Sequence, residues 1–130
     1  MMTFRFKIAS LAAFTLMLFP AIVFAGEADV VGASFVESSD GVFRFDVTIA
    51  HADTGWEHYA NAFEIVGPNG EVLGTRVLVH PHVDEQPFTR SLNNVEIPDG
   101  ITSIIVRAVD SVHERGGLEM VLQIRTSPPA

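Results

Sequence analysis

The sequence contains no cysteine, and its single lysine lies at position 7 of 130 residues. No disulfide can therefore stabilise the chain, and no thiolate can act as a nucleophile or a metal ligand. From residue 26 onward the chain has six arginines and sixteen acidic residues, a net charge of −10. Such an acidic chain repels nucleic acid and anionic membranes, which excludes nucleic acid as a partner and favours cations or a basic protein.

Long apolar runs are also absent, except for one at the N-terminus. Arg5 and Lys7 precede an apolar run at 8–24, and Val23 and Ala25 supply the small side chains that signal peptidase requires. This order of features is typical of a secretory signal peptide. The alternative is a membrane anchor, but a run of about 17 residues is at the lower limit for a span.

We therefore expect cleavage before Gly26, which removes a signal peptide at 1–25 and leaves one domain at 26–130. That domain is long enough to bury its own core. The protein is then periplasmic or secreted, with no membrane span after signal cleavage.

Alternation of apolar and polar residues dominates the rest of the chain. In the clearest case Phe43, Phe45, Val47 and Ile49 lie on one face of an extended segment and polar residues on the other. Similar runs occur at 28–37, 56–66, 71–80, 87–96, 101–110 and 118–125, separated by turn sequences rich in Asn-Gly, Asp-Gly and Gly-Gly. The pattern predicts an all-β fold, an immunoglobulin-like or fibronectin type III-like antiparallel sandwich of about seven strands.

The same alternation predicts which side chains form the core. The most secure segment is a hairpin whose arms flank the turn Pro68-Asn69-Gly70. The residues expected to be buried are Phe43, Phe45, Val47, Ile49, Tyr59, Phe63, Ile65, Leu73, Val77, Val79, Ile104, Val106, Met120, Leu122 and Ile124.

Histidines are the residues most able to carry chemistry, and all five follow Gly26. Pro81 keeps His80 extended, so the imidazoles of His80 and His82 can face one point. Imidazole binds Zn, Cu, Ni or Fe; the cofactor is left unknown, and if these histidines bind a metal we expect Zn or Cu. The alternative is that these histidines only hydrogen-bond to loop carbonyls. Further ligands would come from His58, His113, Asp110 or Glu114.

Two other segments are candidate binding sites. Trp56 and Tyr59 flank His58 and either belong to the core or form a small aromatic platform beside that histidine. Arg90 shares a predicted strand face with Phe88, so its guanidinium must pair with a carboxylate or bind an anion.

The segment TGWEHYANAFEIVGPNGEVLGTRVLVHPHVDEQPFTRSL, with VRAVDSVHERGG after it, resembles a small family of exported bacterial β-sandwich proteins of unassigned activity. The chain is also similar to superoxide reductase domains, which are immunoglobulin-like and hold iron with four His and one Cys. Asp110 and His113 match that family's terminal Cys-x-x-His pair, and His51 and His58 resemble its earlier ligands. Because Asp110 stands in place of the cysteine, the resemblance implies a plain divalent-metal site.

Motifs for covalent catalysis are missing: the chain has no Gly-x-Ser-x-Gly, no phosphate-binding glycine loop and no His-Glu-x-x-His. The sequence therefore does not favour an enzyme. Our first hypothesis is a non-catalytic binding or interaction module whose protein partner is unknown. The alternative is a periplasmic protein that binds a divalent metal ion (Zn, Cu or Fe) through a histidine cluster.

Overall fold

The computed structural model describes residues 26–126. The predicted signal peptide at 1–25 and the last four residues lie outside the described residues. Within 26–126 the regular structure consists of seven strands, and no helix in that range is long and apolar enough to cross a membrane. The strands are β1 (Asp29–Ser39), β2 (Val42–Ala50), β3 (Ala60–Val66), β4 (Val72–Val77), β5 (Phe88–Glu96), β6 (Ser103–Asp110) and β7 (Met120–Gln123).

The seven strands form two antiparallel sheets. One sheet has the order β1-β2-β5 and the other the order β4-β3-β6-β7. Apolar side chains on the facing sides of the two sheets make up a single core. This arrangement confirms the predicted all-β sandwich.

The alternation in the sequence correctly identifies the inner faces of the central strands. Phe43, Phe45, Val47 and Ile49 of β2 are completely buried, and the rings of Phe43 and Phe45 lie 6.2 Å apart. Their partners from the opposite sheet come from β3 and β6 and are equally buried: Phe63, Ile65, Ile104 and Val106. Ile124 is buried as expected, whereas Tyr59, Leu73, Met120 and Leu122 are only half-buried.

The prediction for the second arm of the hairpin is wrong. Val77 and Val79 are 62% and 71% exposed, and the buried residue between them is Leu78. The register of β4 against β3 shifts between Ile65 and Val66. A bulge of this kind reverses which side chains of the following segment point inward, so simple alternation from Leu73 selects the outer face.

The pairing that follows the bulge places Gly74 opposite Ile65 and Arg76 opposite Phe63, on the inner side of β4. A Cβ at Gly74 would lie 3.1 Å from a Leu92 side-chain carbon of the other sheet. The missing side chain therefore lets β5 approach β4. Arg76 donates a hydrogen bond from Nη1 to the Ser91 carbonyl across the same gap, at 3.0 Å.

One end of the sandwich collects the polar termini of several strands. Asp29 at the start of β1 pairs with Ala50 at the end of β2, and Ala60 at the start of β3 pairs with Asp110 at the end of β6. The chain segments next to these strand ends therefore lie together at one end of the sandwich. We refer to it as the histidine end, because it carries His51, His58, His82 and His113.

Candidate metal centre

The row of inward-facing side chains on β2, and the one on β6, each continue into the histidine end. On β2 the buried residues at positions 43, 45, 47 and 49 are followed at the same spacing by His51 and Asp53, both buried. On β6 the buried positions 104, 106 and 108 are followed by Asp110, whose side chain is fully buried. The core therefore becomes polar at this end, where carboxylates and an imidazole replace Ile and Val.

The carboxylate of Asp110 lies at the centre of the group. Its Oδ2 atom is 2.7 Å from His58 Nε2, 2.9 Å from His113 Nδ1 and 3.2 Å from His51 Nε2. The Nε2 atoms of His51 and His58 are 3.2 Å apart. Three imidazole nitrogens thus surround one carboxylate oxygen, and we call these four candidate ligands the metal cluster.

The metal cluster is closed on one side and open on the other. The side chains of His51 and Asp110 have no exposed surface, while His58 is 13% and His113 36% exposed. Beside His51 there is a cleft of about 660 Å³, lined in part by Gly26, Glu27 and Asp29. An ion could therefore reach the cluster from solvent and still be held mainly by buried atoms.

Asp53 fixes the orientation of His51. Its Oδ1 atom accepts a hydrogen bond from His51 Nδ1 at 2.5 Å and another from the Ala60 backbone N–H at 3.0 Å. Its Oδ2 atom accepts a hydrogen bond from the His82 backbone N–H at 2.7 Å. Since Nδ1 carries the hydrogen, a neutral His51 directs the lone pair of Nε2 toward the cluster.

His113 is positioned by the turn that follows β6. The backbone N–H and C=O groups of Asp110 and Glu114 bond to each other, at 2.8 and 3.1 Å, and the His113 N–H donates to Asp110 Oδ1 at 2.5 Å. The hydrogen bond to Asp110 raises the pKa of His113. For Asp110, burial pushes the pKa up, but the hydrogen bonds from His113 and His58 outweigh it and hold the pKa at about 2. Asp110 is therefore a carboxylate at neutral pH.

The His51 imidazole faces oxygen acceptors at both of its nitrogens. His51 Nε2 is 2.8 Å from the Gly26 carbonyl oxygen as well as 3.2 Å from Asp110 Oδ2, and both oxygens only accept. A lone pair on Nε2 would repel them. A proton or a metal cation must therefore lie between His51 Nε2 and these oxygens, whereas neutral His58 and His113 can each donate their own N–H to Asp110.

The structure places the two residues of the His80-Pro81-His82 motif outside the metal cluster. Their rings lie 4.6 Å apart, but the His82 ring stacks on Phe88 at 4.0 Å and its Nε2 accepts a hydrogen bond from Arg90 at 3.0 Å. Burial and the Arg90 charge lower the pKa of His82. Because Arg90 already occupies the lone pair of Nε2, this nitrogen is not free for a metal. His80 lies on the surface.

The remaining predicted site residues have separate surroundings. Arg90 forms an ion pair with Glu85 at 3.0 Å, which agrees with a structural role. Trp56 is 66% exposed at the tip of the turn that begins at Gly55 and packs edge-on against Tyr59, with ring centroids 5.5 Å apart. The alternative that Trp56 belongs to the core is therefore wrong.

Reasoning from residue types and spacing missed two residues of this end of the molecule, His51 as a cluster member and Asp53 as its support. The signal was present in the alternation. The positions 43, 45, 47 and 49 predict that 51 and 53 also face inward, and a buried His beside a buried Asp requires a partner. The apolar run itself ends at Ile49, so a stripe defined by apolar residues stops short of both.

No family model matches the chain, and no solved structure matches it. The chain is similar to a curated protein of Halomicrobium mukohataei named “Putative lipoprotein”, with 38% identity over 96 residues. The aligned part is 74% of this chain and 47% of the relative, so the chain spans about half the length of the curated relative it matches. The resemblance to superoxide reductase domains receives no support from these comparisons.

Proposed function

We propose that this protein binds a divalent transition-metal ion at the metal cluster, with ligands from His51, His58, His113 and Asp110. One observation carries the proposal: three imidazole nitrogens lie within 3.2 Å of a single buried carboxylate oxygen. A tight group formed by His51, His58 and Asp110 is the arrangement among the described residues that could hold a metal ion.

The distances within the cluster suit a coordination shell. Metal–ligand bonds of about 2.0–2.2 Å place neighbouring ligand atoms about 2.8–3.5 Å apart in octahedral or tetrahedral geometry. The donor atoms of His51, His58 and Asp110 are 2.7–3.2 Å apart, and His113 Nδ1 lies 2.9 Å from Asp110 Oδ2. Asp53 supplies the carboxylate behind the ligating imidazole that metal-binding histidines commonly have.

The donor set restricts the metal. Imidazole and carboxylate suit Zn²⁺, Cu²⁺, Ni²⁺ and Fe²⁺, whereas Cu⁺ prefers thiolates and thioethers. The chain has no cysteine. We propose Zn²⁺ or Cu²⁺ as the ion bound, and the net charge of −10 after residue 25 concentrates such cations at the surface. The resemblance to superoxide reductases would add iron to the candidate ions, and this site would hold it without a thiolate.

Export is the second part of the proposal. It is supported by the predicted signal peptide and by the relative, whose name says it is a lipoprotein. The sequence contains no cysteine, so the proposal for this chain is export alone and not lipid attachment. We therefore propose that the metal is bound in the periplasm or outside the cell.

An interaction module remains the second candidate, because one observation favours it specifically. Trp56 projects from the turn beside His58, 66% exposed, and Val112 next to His113 is 55% exposed. Exposed aromatic residues are enriched where proteins contact partners. The protein could have both an interaction surface and a metal site. If no metal is bound, only the interaction module remains as a candidate.

The test compares two histidine variants that differ only in position. Chelator-treated protein is titrated with Zn²⁺ and with Cu²⁺, and the melting temperature is recorded for wild type, His58→Ala and His80→Ala. At 100 times the dissociation constant, binding adds about 2.7 kcal/mol. For a domain of this size that is a rise of roughly 10–20 °C. Wild type and His80→Ala should show the rise, and His58→Ala should lose most of it.

Equal behaviour of the two variants would contradict the proposal. If the metal stabilises both, the cluster is not the site. If neither metal stabilises wild type, the protein has no divalent-metal function and the interaction module stands.

A further inference from the structure

The backbone of Gly26 belongs to the surroundings of the metal cluster. Its carbonyl oxygen lies 2.8 Å from His51 Nε2. Gly26 is half-buried and lines the cleft beside His51. The residue thus contacts a cluster histidine although it precedes the first strand and has no side chain of its own.

The sequence places the predicted cleavage at this same residue. Hydrolysis of the Ala25–Gly26 peptide bond consumes one water molecule, leaves a carboxylate on Ala25 and creates an α-amino group on Gly26. Before cleavage the Gly26 nitrogen is an amide, whose lone pair is delocalised into the peptide bond, so it does not bind a cation while it keeps its proton. After cleavage it is an amine with a free lone pair. Amine nitrogen and carbonyl oxygen of one residue can close a five-membered ring with a metal ion.

We propose that the α-amino group of Gly26 is an additional ligand of the metal cluster, so that removal of the signal peptide completes the metal site. This inference rests on the proposed metal-binding function and adds a condition to it. The uncleaved chain would offer three imidazoles and one carboxylate. The processed chain would add an amine nitrogen and hold the same ion more tightly. Loading would then be favoured after export, when the protein has left the metal pool of the cytoplasm.

The experiment compares three forms of the protein that differ only at the N-terminus. The first begins at Gly26 with a free amine. The second retains Ala25, which turns the Gly26 nitrogen into an amide and moves the amine one residue away. The third begins at Gly26 but is acetylated at the α-nitrogen, which adds no residue. All seven strands lie within 29–123, so each form contains the whole sandwich.

Affinity for Cu²⁺ is measured by competition with a chelator, and electron paramagnetic resonance of the bound Cu²⁺ reports its nitrogen ligands. We expect the free-amine form to bind Cu²⁺ about 10-fold or more tightly than the other two. Loss of a residue that only supports a ligand already lowers metal affinity by about 10-fold or more. Its spectrum should contain one more coordinating nitrogen. Metal-free melting temperatures serve as the control and should agree among the three forms.

Each result decides the matter. If all three forms bind Cu²⁺ equally with the same spectrum, the amine is not a ligand and this inference is wrong, while the metal site itself stands. If only the form that retains Ala25 is weaker and the acetylated form is not, the extra residue acts by crowding and the inference is again wrong. If no form binds Cu²⁺ or Zn²⁺, the proposed function fails as well.

Discussion

Replacing Asp110 by asparagine tests how much of this end of the molecule depends on one buried charge. The Asp110 side chain has no exposed surface, and its Oδ2 atom faces imidazole nitrogens of His51, His58 and His113. Asparagine has nearly the same shape but no charge, and one of its two positions becomes an N–H donor. In the metal-free protein the variant therefore removes the acceptor on which the cluster protons depend, without opening a cavity.

The structure gives the size of the expected effect. Burial raises the pKa of Asp110, but hydrogen bonds from His113 and His58 outweigh it, and the pKa falls from 3.8 to about 2. A lowering of this size corresponds to about 2 kcal/mol of folding free energy, because one pKa unit is 1.36 kcal/mol. Since the folded pKa is the lower one, the contribution is complete above about pH 4 and is lost as the pH falls toward 2.

The assay is urea unfolding of chelator-treated protein at a series of pH values from 6 downward. At pH 6 the unfolding free energy of Asp110→Asn should be about 2 kcal/mol below that of wild type, and the gap should narrow as the pH is lowered. Asp84→Asn, at an exposed position, is the matched control and should stay within about 0.5 kcal/mol. A loss at pH 6 as small as that of the control, or a gap independent of pH, would refute the reasoning.

Three further predictions concern the core, the support of His51 and the protons of the cluster. Phe45→Ala should lower the unfolding free energy by about 3–5 kcal/mol in denaturant melts, because the side chain is completely buried; a loss below about 1 kcal/mol would mean that the core relaxes around it. Asp53→Asn should weaken Zn²⁺ binding by about 10- to 100-fold in competition titrations, because the carboxylate that orients His51 is lost; an unchanged affinity would remove Asp53 from the site. Zn²⁺ affinity should rise with pH through the range in which His113 loses its proton, because the raised pKa of His113 makes a proton compete with the ion. The stability that His113 adds to metal-free protein follows the opposite course, being complete below its ordinary pKa of 6.5 and lost at higher pH.

The positions of the strands could be predicted from the sequence because the signal is local. Alternation along 43–49 makes one face of β2 apolar, whichever strand pairs with it. Turns such as Pro68-Asn69-Gly70 end one strand and reverse the chain at a definite position. The absence of cysteine and the acidic composition likewise follow from the residues alone. The alternation and the turns led to the all-β sandwich that the structure has.

Sequence reasoning failed where a side chain's direction depends on a neighbouring strand. Val77 and Val79 fit an apolar stripe, but the register shift opposite Val66 turned Leu78 inward instead. A bulge is a property of a pair of strands, so a single strand's alternation does not predict it.

The candidate site, too, could be predicted from the sequence only in part. The sequence identified His58, His113 and Asp110 as candidate ligands by residue type and by their places at strand ends, but it also favoured His80 and His82 for their spacing. Only the tertiary structure distinguishes the two groups of candidates. It stacks His82 on Phe88, and it brings the end of β2, the start of β3 and the end of β6 together at the histidine end. The candidate ligands His51 and Asp110 are 59 positions apart, and their convergence depends on sheet register and packing, which no local pattern encodes.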